Sequence, residues 1–275
     1  MTQDTHIVPF LKMHGLGNDF IIFDARRHAL DLTDAQVQRL SNRKRSIGCD
    51  QLIIIRESDD ATAFMEIRNA NGSRVGACGN ASRCVGLLLM QQLGESVVTL
   101  ETDTGILTAE ASDYGVSVNM GPARTEWSEI PLEHDCDTLH TDFHMGDLKE
   151  PVCVNMGNPH AVFFVPDAEA VDLASIGPKI ETHKMFPEGV NVSVATVEGT
   201  SIRLRVFERG AGITEACGTA ACAAAVAAMR RGLIDNENKA TVKLDGGDLQ
   251  ITWLEDGTVE MAGPATLAFG GEVAV

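Results

Sequence analysis

Aromatic side chains are scarce in this chain: ten Phe, two Trp and one Tyr among 275 residues. Its core must be built from Val, Ile, Leu, Met and Ala. Cations are few as well, 22 Lys and Arg against 39 Asp and Glu, for a formal net charge of −17. A surface of that sign repels phosphate backbones and anionic lipid, which argues against nucleic acid and membrane as partners. No apolar run is long enough to cross a bilayer. The first six residues lack the basic stretch and apolar run of a secretory leader, so a cytoplasmic location is expected. Thiols stay reduced there, and the seven cysteines read as packing or chemistry rather than a disulfide framework. Gly15-Leu16-Gly17 lacks the third Gly and the following helix of a dinucleotide site. No lysine stands in a pyridoxal phosphate context. Cys78/Cys84 and Cys217/Cys222 lack the close spacing and the second nearby pair of a structural zinc site. Neither a cofactor nor a metal is expected.

What the chain does have is one motif written twice. Ala77-Cys78-Gly79-Asn80-Ala81-Ser82-Arg83-Cys84 returns as Ala216-Cys217-Gly218-Thr219-Ala220-Ala221-Cys222, an offset of 217 − 78 = 139 between the first cysteines. Other landmarks keep nearly the same offset. Gly17-Asn18 matches Gly157-Asn158, Gly48-Cys49-Asp50 matches Gly189-Val190-Asn191, and Asn69 aligns with Glu208. Such a long period excludes a solenoid and points to a duplicated domain.

The pattern between the landmarks also repeats. Strands are predicted over 7–13 and 20–24, flanking a glycine-rich turn over 14–19. A capping-box signal at Thr33 starts a helix that runs to about residue 43. Strands follow over 52–56 and 63–68, then a polar loop. Ala81, Val85, Leu88, Leu89 and Leu93 fall at helical spacing before Gly94. A meander over 97–101, 106–111 and 115–120 completes the first half.

Residues 121–147 show no period and read as the crossover. The second half gives strands over 151–156 and 161–165, and a helix over 172–181 interrupted at Gly177-Pro178. Strands over 190–197 and 201–207, an apolar helix over 220–229 and three closing strands follow. Each second helix is apolar on most faces, so strands should wrap it on several sides. The expected fold is α+β: two duplicated domains related by a pseudo-two-fold axis, each a strand meander or partly closed barrel around a buried central helix. The domains are placed at 1–122, with 265–275 packing back on that half, and at 123–264.

Cys78 and Cys217 each stand where a loop becomes a helix. The unpaired amides of a first helical turn carry partial positive charge, which lowers a thiol pKa and attracts a carboxylate. Two such ends facing one interdomain cleft suit removal of a proton from one face of an α-carbon and its return to the other. Each sulfur would then lie about 3–3.5 Å from that carbon. Cys84 and Cys222, inside the helices, read as packing residues.

At these residues the chain resembles the diaminopimelate epimerase family of cofactor-independent racemases and epimerases. The likeness rests on the stretches 12–20, 69–73, 77–80, 156–160, 186–191, 208–210 and 216–219, in that order. It implies interconversion of L,L- and meso-diaminopimelate for lysine and peptidoglycan synthesis, with a small amino acid as substrate and a homodimeric protein. Cys78 and Cys217 match the two acid/base cysteines. Asn18, Gln51, Asn69, Asn158, Asn191, Glu208 and Arg209 match substrate contacts. Gly79, Asn80, Gly218 and Thr219 match the helix-start amides. His160 and Glu208 match residues that tune the cysteines. The family commonly has Asp at Asn71, Glu at Arg74, and Gly at Ala81 and Ala220. Two rivals stand beside this reading. One is a proline or hydroxyproline racemase of the same fold; the other is a thiol redox protein.

Overall fold

A computed structural model describes residues 6–234 and 238–275. Of the first six residues, read above for a leader, only His6 lies within that range. The chain divides into two compact units, Met1–Val118 with Gly263–Val275, and Asn119–Ala262.

The first unit runs β1 (Ile7–Gly15), β2 (Asn18–Asp24), α1 (Asp34–Ser41), β3 (Gln51–Arg56), β4 (Ala63–Asn69), β5 (Arg74–Val75), α2 (Gly79–Leu93), β6 (Val97–Thr102), β7 (Gly105–Ser112) and β8 (Gly115–Pro122). In the second unit a short hairpin, β9 (His144–Met145) and β10 (Leu148–Lys149), precedes β11 (Val152–Asn155) and β12 (Pro159–Phe164). Then come α3 (Leu173–Glu181), β13 (Asn191–Glu198), β14 (Ser201–Glu208), β15 (Gly212–Thr214) and α4 (Gly218–Arg230). β16 (Lys239–Leu244), β17 (Gly247–Trp253) and β18 (Thr258–Gly263) follow, and β19 (Thr266–Ala274) returns to the first unit.

The duplication is a duplication of pairing. β1 runs antiparallel to β2, β2 parallel to β3, β3 antiparallel to β4, and β4 parallel to β6. In the second unit β11, β12, β13, β14 and β16 pair in the same alternation. An antiparallel meander of β6 to β8 or β16 to β18 follows.

The sequence explains why these strands are central. Phe20, Ile21, Ile22 and Phe23 of β2 are all buried, as are Leu52, Ile53, Ile54 and Ile55 of β3. A continuous apolar run with no polar face belongs to a strand covered on both sides. Ile21, Phe23, Leu52 and Ile54 join a core cluster with Val37 and Leu40 of α1. Alternation sends Phe20, Ile22, Ile53 and Ile55 to the opposite face. α2 packs on β1, β2, β6 and β7, strands from both ends of the sheet, so the sheet curls about the helix. In the second unit α3 joins the cluster of Phe163, Val192 and Val194, and α4 packs on six strands. Among the described residues no pairing joins β8 to β19.

Local chemistry sets the element ends. The Thr33 hydroxyl caps the Gln36 amide, and the Gln36 side chain returns to the Thr33 amide, the capping box read from sequence. Leu16 and Gly17 both take positive φ, 56° and 87°, and close a two-residue hairpin between Gly15 and Asn18. The broad loop expected over 14–19 is therefore mostly strand. α4 ends in a Schellman motif: Gly232, at φ 64°, donates to Met229 and Leu233 donates to Ala228.

Two expectations need correction. α3 is not interrupted at Gly177-Pro178. Pro178 lacks the amide that would bond the carbonyl one turn before it, yet the helix continues through it to Glu181, and Gly177 is required by packing. A Cβ there would lie 2.6 Å from the Phe207 ring. Finally, β19 is a nine-residue strand antiparallel to β1 where only a packed tail was expected.

Candidate active site

Cys78 is the N-cap of α2 and Cys217 the N-cap of α4, both in extended backbone, with φ of −150° and −124°. The first helical bonds run from Ser82 to the Cys78 carbonyl and from Ala221 to the Cys217 carbonyl. The amides of Gly79, Asn80 and Ala81, and of Gly218, Thr219 and Ala220, are thus the donors of the first turns, the arrangement that binds a carboxylate.

In the first unit Asn18 and Asn80 gather beside Cys78. The Cys78 thiol lies 4.0 Å from Asn18 Oδ1, which also accepts from Asn80 Nδ2 at 3.1 Å. Asn18 opens β2, so the hairpin turn carries it to the start of α2. Gln51 and Asn69 sit opposite one another across β3 and β4, and Gln51 Nε2 donates to Asn69 Oδ1 at 3.2 Å. Gln51 Oε1 and Asn80 Oδ1 are buried with no hydrogen-bond partner. Buried polar atoms are ordinarily satisfied, so such orphans mark positions for a polar ligand. Asn71 shapes the loop locally, accepting from the Ser73 amide at 2.9 Å. The unusual Arg74 lies 3.6 Å from Glu66, whose carboxylate also takes Arg56 and Arg68. Its charge is absorbed there.

In the second unit Cys217 is almost wholly buried, its sulfur 3.5 Å from the Thr219 hydroxyl. Burial pushes its thiol well above the ordinary range, and the Glu208 carboxylate beside it adds to the rise; Thr219 and the Ala220 amide oppose it. This corrects the expectation that a helix start alone would lower this pKa. Desolvation and a neighbouring anion outweigh the helix end, and Cys217 rests as a thiol.

Glu208, last in β14, also accepts a hydrogen bond from Thr214 across the β14–β15 turn. Thr214 was missed because its sequence context is that of an ordinary short strand. His160 is fully buried, and desolvation with Arg209 nearby lowers its pKa to about 3. It is therefore neutral. Its Nε2 lies 2.8 Å from Asn158 Oδ1, while its Nδ1 has no partner. Asn191, beside His160 in register, donates to the Pro159 carbonyl and accepts from the Arg209 amide at 3.0 Å. Arg209 Nη1 donates to the Glu188 carbonyl at 2.7 Å. The Glu208 carboxylate beside Cys217 is one of the groups that raise its pKa.

The remaining cysteines divide as expected. Cys84 and Cys222 are fully buried, and burial pushes the Cys84 thiol up to about 12. Ala81 and Ala220 lie inside α2 and α4, also fully buried, where Ala favours helix over Gly by about 1 kcal/mol. No cluster of metal-ligating side chains occurs among the described residues. No helix among them is long and apolar enough to cross a membrane.

The architecture defines a class: α+β proteins of two like units, shared by structures from the phenazine-biosynthesis and amino-acid epimerase groups. A PhzF-family protein from Bacillus anthracis aligns with a TM-score of 0.70 at 16% identity, covering 98% of this chain and 100% of its own. A hydroxyproline epimerase from Agrobacterium vitis, solved with trans-4-hydroxy-L-proline, gives 0.64 at 15% identity, covering 98% and 93%. At such identities the likeness concerns the fold. Sequence goes further. The family profile described as diaminopimelate epimerase matches twice, over residues 10–126 and 152–268, once per repeat. Diaminopimelate epimerases from Phenylobacterium zucineum, Rhodospirillum centenum and Acidiphilium cryptum are 53%, 51% and 49% identical to it. Those alignments cover 96% of this chain and 97%, 91% and 96% of the relatives. The chain belongs to the diaminopimelate epimerase family.

Proposed function

We propose that this protein interconverts L,L- and meso-diaminopimelate by a two-base reaction at one α-carbon, supplying lysine and peptidoglycan synthesis. The observation that carries the reading is the paired placement of Cys78 and Cys217 as N-caps of the duplicated helices. A thiolate removes the α-proton, and the electron pair of the broken C–H bond spreads into the carboxylate. A thiol then gives its proton to the opposite face of the planar carbon. The first-turn amides of Gly79, Asn80, Gly218 and Thr219 hold that carboxylate as its charge grows. One cysteine of the pair acts as the base and the other as the acid, and the roles exchange in the reverse direction. The reaction calls for no cofactor.

Asn18, Gln51, Asn69, Asn158 and Asn191 supply neutral hydrogen bonds to a zwitterion, while Glu208 and Arg209 pair with its charged ends. The orphaned Gln51 Oε1, Asn80 Oδ1 and His160 Nδ1 support this set, being buried acceptors with capacity for ammonium donors. His160, being neutral, tunes the site by hydrogen bonding rather than by charge. Incubation with diaminopimelate, and separately with proline and hydroxyproline, in D₂O tests the substrate. Deuterium is expected at the α-carbon of diaminopimelate; incorporation into proline alone would sink the assignment. Reversible disulfide cycling with a dithiol, without epimerisation, would favour the redox alternative.

The chain is also proposed to act as a homodimer in the cytoplasm. β19 supports the dimer: it pairs with β1, and its Leu267 and Phe269 are about half exposed. A second copy placing its own β19 there would cover both apolar residues by a two-fold contact. Sedimentation is expected to give a dimer that Phe269→Glu shifts towards monomer. A wild-type monomer at all concentrations would contradict this.

A further inference from the structure

The loop before β3 carries a set of charges that the reading above leaves without a task. Arg43 clamps Asp19 with two bonds of 2.7 Å and reaches Asp50 Oδ1 at 2.7 Å. Lys12 Nζ lies 2.7 Å from Asp19 Oδ2 and also donates to the Gly48 carbonyl. The Asp50 amide returns to Asp19 Oδ1 at 2.9 Å. These cations hold the Asp19 carboxyl far below the usual carboxylate range, although burial works against them. The outcome is a rigid link between the β1–β2 turn and the entry to β3.

The link ends on Asn18. Asp50 Oδ2 accepts from the Asp19 amide at 3.1 Å and from Asn18 Nδ2 at 3.0 Å. A carboxylate only accepts, so it fixes which end of the Asn18 amide faces it. Nδ2 turns to Asp50, and Oδ1 must turn the other way, to Asn80 Nδ2 at 3.1 Å and the Cys78 thiol at 4.0 Å. The reversed amide would set an N–H donor against the Asn80 N–H donor and against the S–H.

We propose that Asp50 is a positioning residue for the reaction: it locks the Asn18 amide so that its carbonyl faces Cys78 and Asn80, and Arg43 with Asp19 holds Asp50 in place. The inference rests on the assignment of Cys78 and Asn18 to the site. Magnitudes separate this role from simple stabilisation. The Asp50 and Arg43 side chains are 45% and 55% exposed, and ion pairs at that exposure contribute little to folding. Misplacement of a group beside a reacting centre costs about 100-fold in rate.

The test is a double-mutant cycle on the full-length protein, with epimerisation of diaminopimelate and thermal unfolding as readouts. Asp50→Ala is expected to lower kcat about 10- to 100-fold with little change in melting temperature. Asn18→Ala is expected to do comparable harm. The double variant should lose no more than about two-fold beyond Asn18→Ala, because Asp50 acts only through that amide. Asp50→Asn keeps one acceptor and should recover part of the rate; if Asp50→Ala is unfolded at the assay temperature, Asp50→Asn takes its place in the cycle. Asp24→Ala, which breaks a separate pair with Arg26, should match the wild type. Losses that multiply in the double variant, or wild-type rates in Asp50→Ala while Cys78→Ala is inactive, would overturn the inference. Full activity in Cys78→Ala would instead remove the assignment of the site on which it rests.

Discussion

Cys78→Ala and Cys217→Ala are each expected to lower kcat for epimerisation by about 10³-fold, within the range for loss of a positioned acid or base. Neither change should unfold the protein. The first helical bonds run to the Cys78 and Cys217 carbonyls, so alanine leaves the main-chain helix hydrogen bonds in place. Removing the buried Cys217 sulfur leaves a small cavity, worth about 1 kcal/mol. Cys84→Ala provides the contrast. Its thiol is as buried as any in the chain and resists ionisation, so this variant should lose some stability but keep its rate. Initial rates and thermal unfolding on the three variants separate the roles. Full activity in either N-cap variant would refute the acid/base assignment.

Glu208→Gln is expected to lower kcat/KM by about 10- to 100-fold and to move the alkaline limb of its pH profile to lower pH. The direction follows from charge. A carboxylate beside a thiol disfavours the thiolate, and with burial it holds the Cys217 pKa high. Glutamine keeps the shape and an acceptor for Thr214 but removes the charge. The Cys217 pKa then falls, and the protonated form needed for proton donation is lost at a lower pH than in the wild type. An alkaline limb that stays in place, or moves to higher pH, would show that Glu208 does not govern Cys217.

How much of this was legible in sequence depended on whether the signal was local. The Cys-Gly motif, the Thr33 capping box and the continuous apolar runs of β2 and β3 each state their structure within a few residues. The duplication was legible because the landmarks recur at one offset, and the pairing of β1 to β8 is retraced by β11 to β18. What escaped were effects carried across the fold. Gly177-Pro178 reads as a helix breaker, yet the approach of Phe207 makes the glycine necessary there. The tail from Thr266 gives little local sign that β1 awaits it as a strand partner. Asp50 reads only as part of a repeat landmark and Arg43 as a helix end, until the fold brings both to Asp19 and Asn18. A helix start does predict positive potential at Cys217, but burial by the strands packed on α4 and the Glu208 carboxylate at the end of β14 outweigh it.

The central claim is that two sulfurs serve opposite faces of one carbon, and proton bookkeeping in D₂O reads it most directly. The wild-type protein is given L,L-diaminopimelate in D₂O, and both isomers are recovered at early conversion. Two-base chemistry predicts meso product with one deuterium at the inverted carbon, delivered by a thiol already exchanged with solvent, while the remaining substrate keeps its protium. Product that retains the original α-proton would mean that one group carried it from face to face, and would contradict the account.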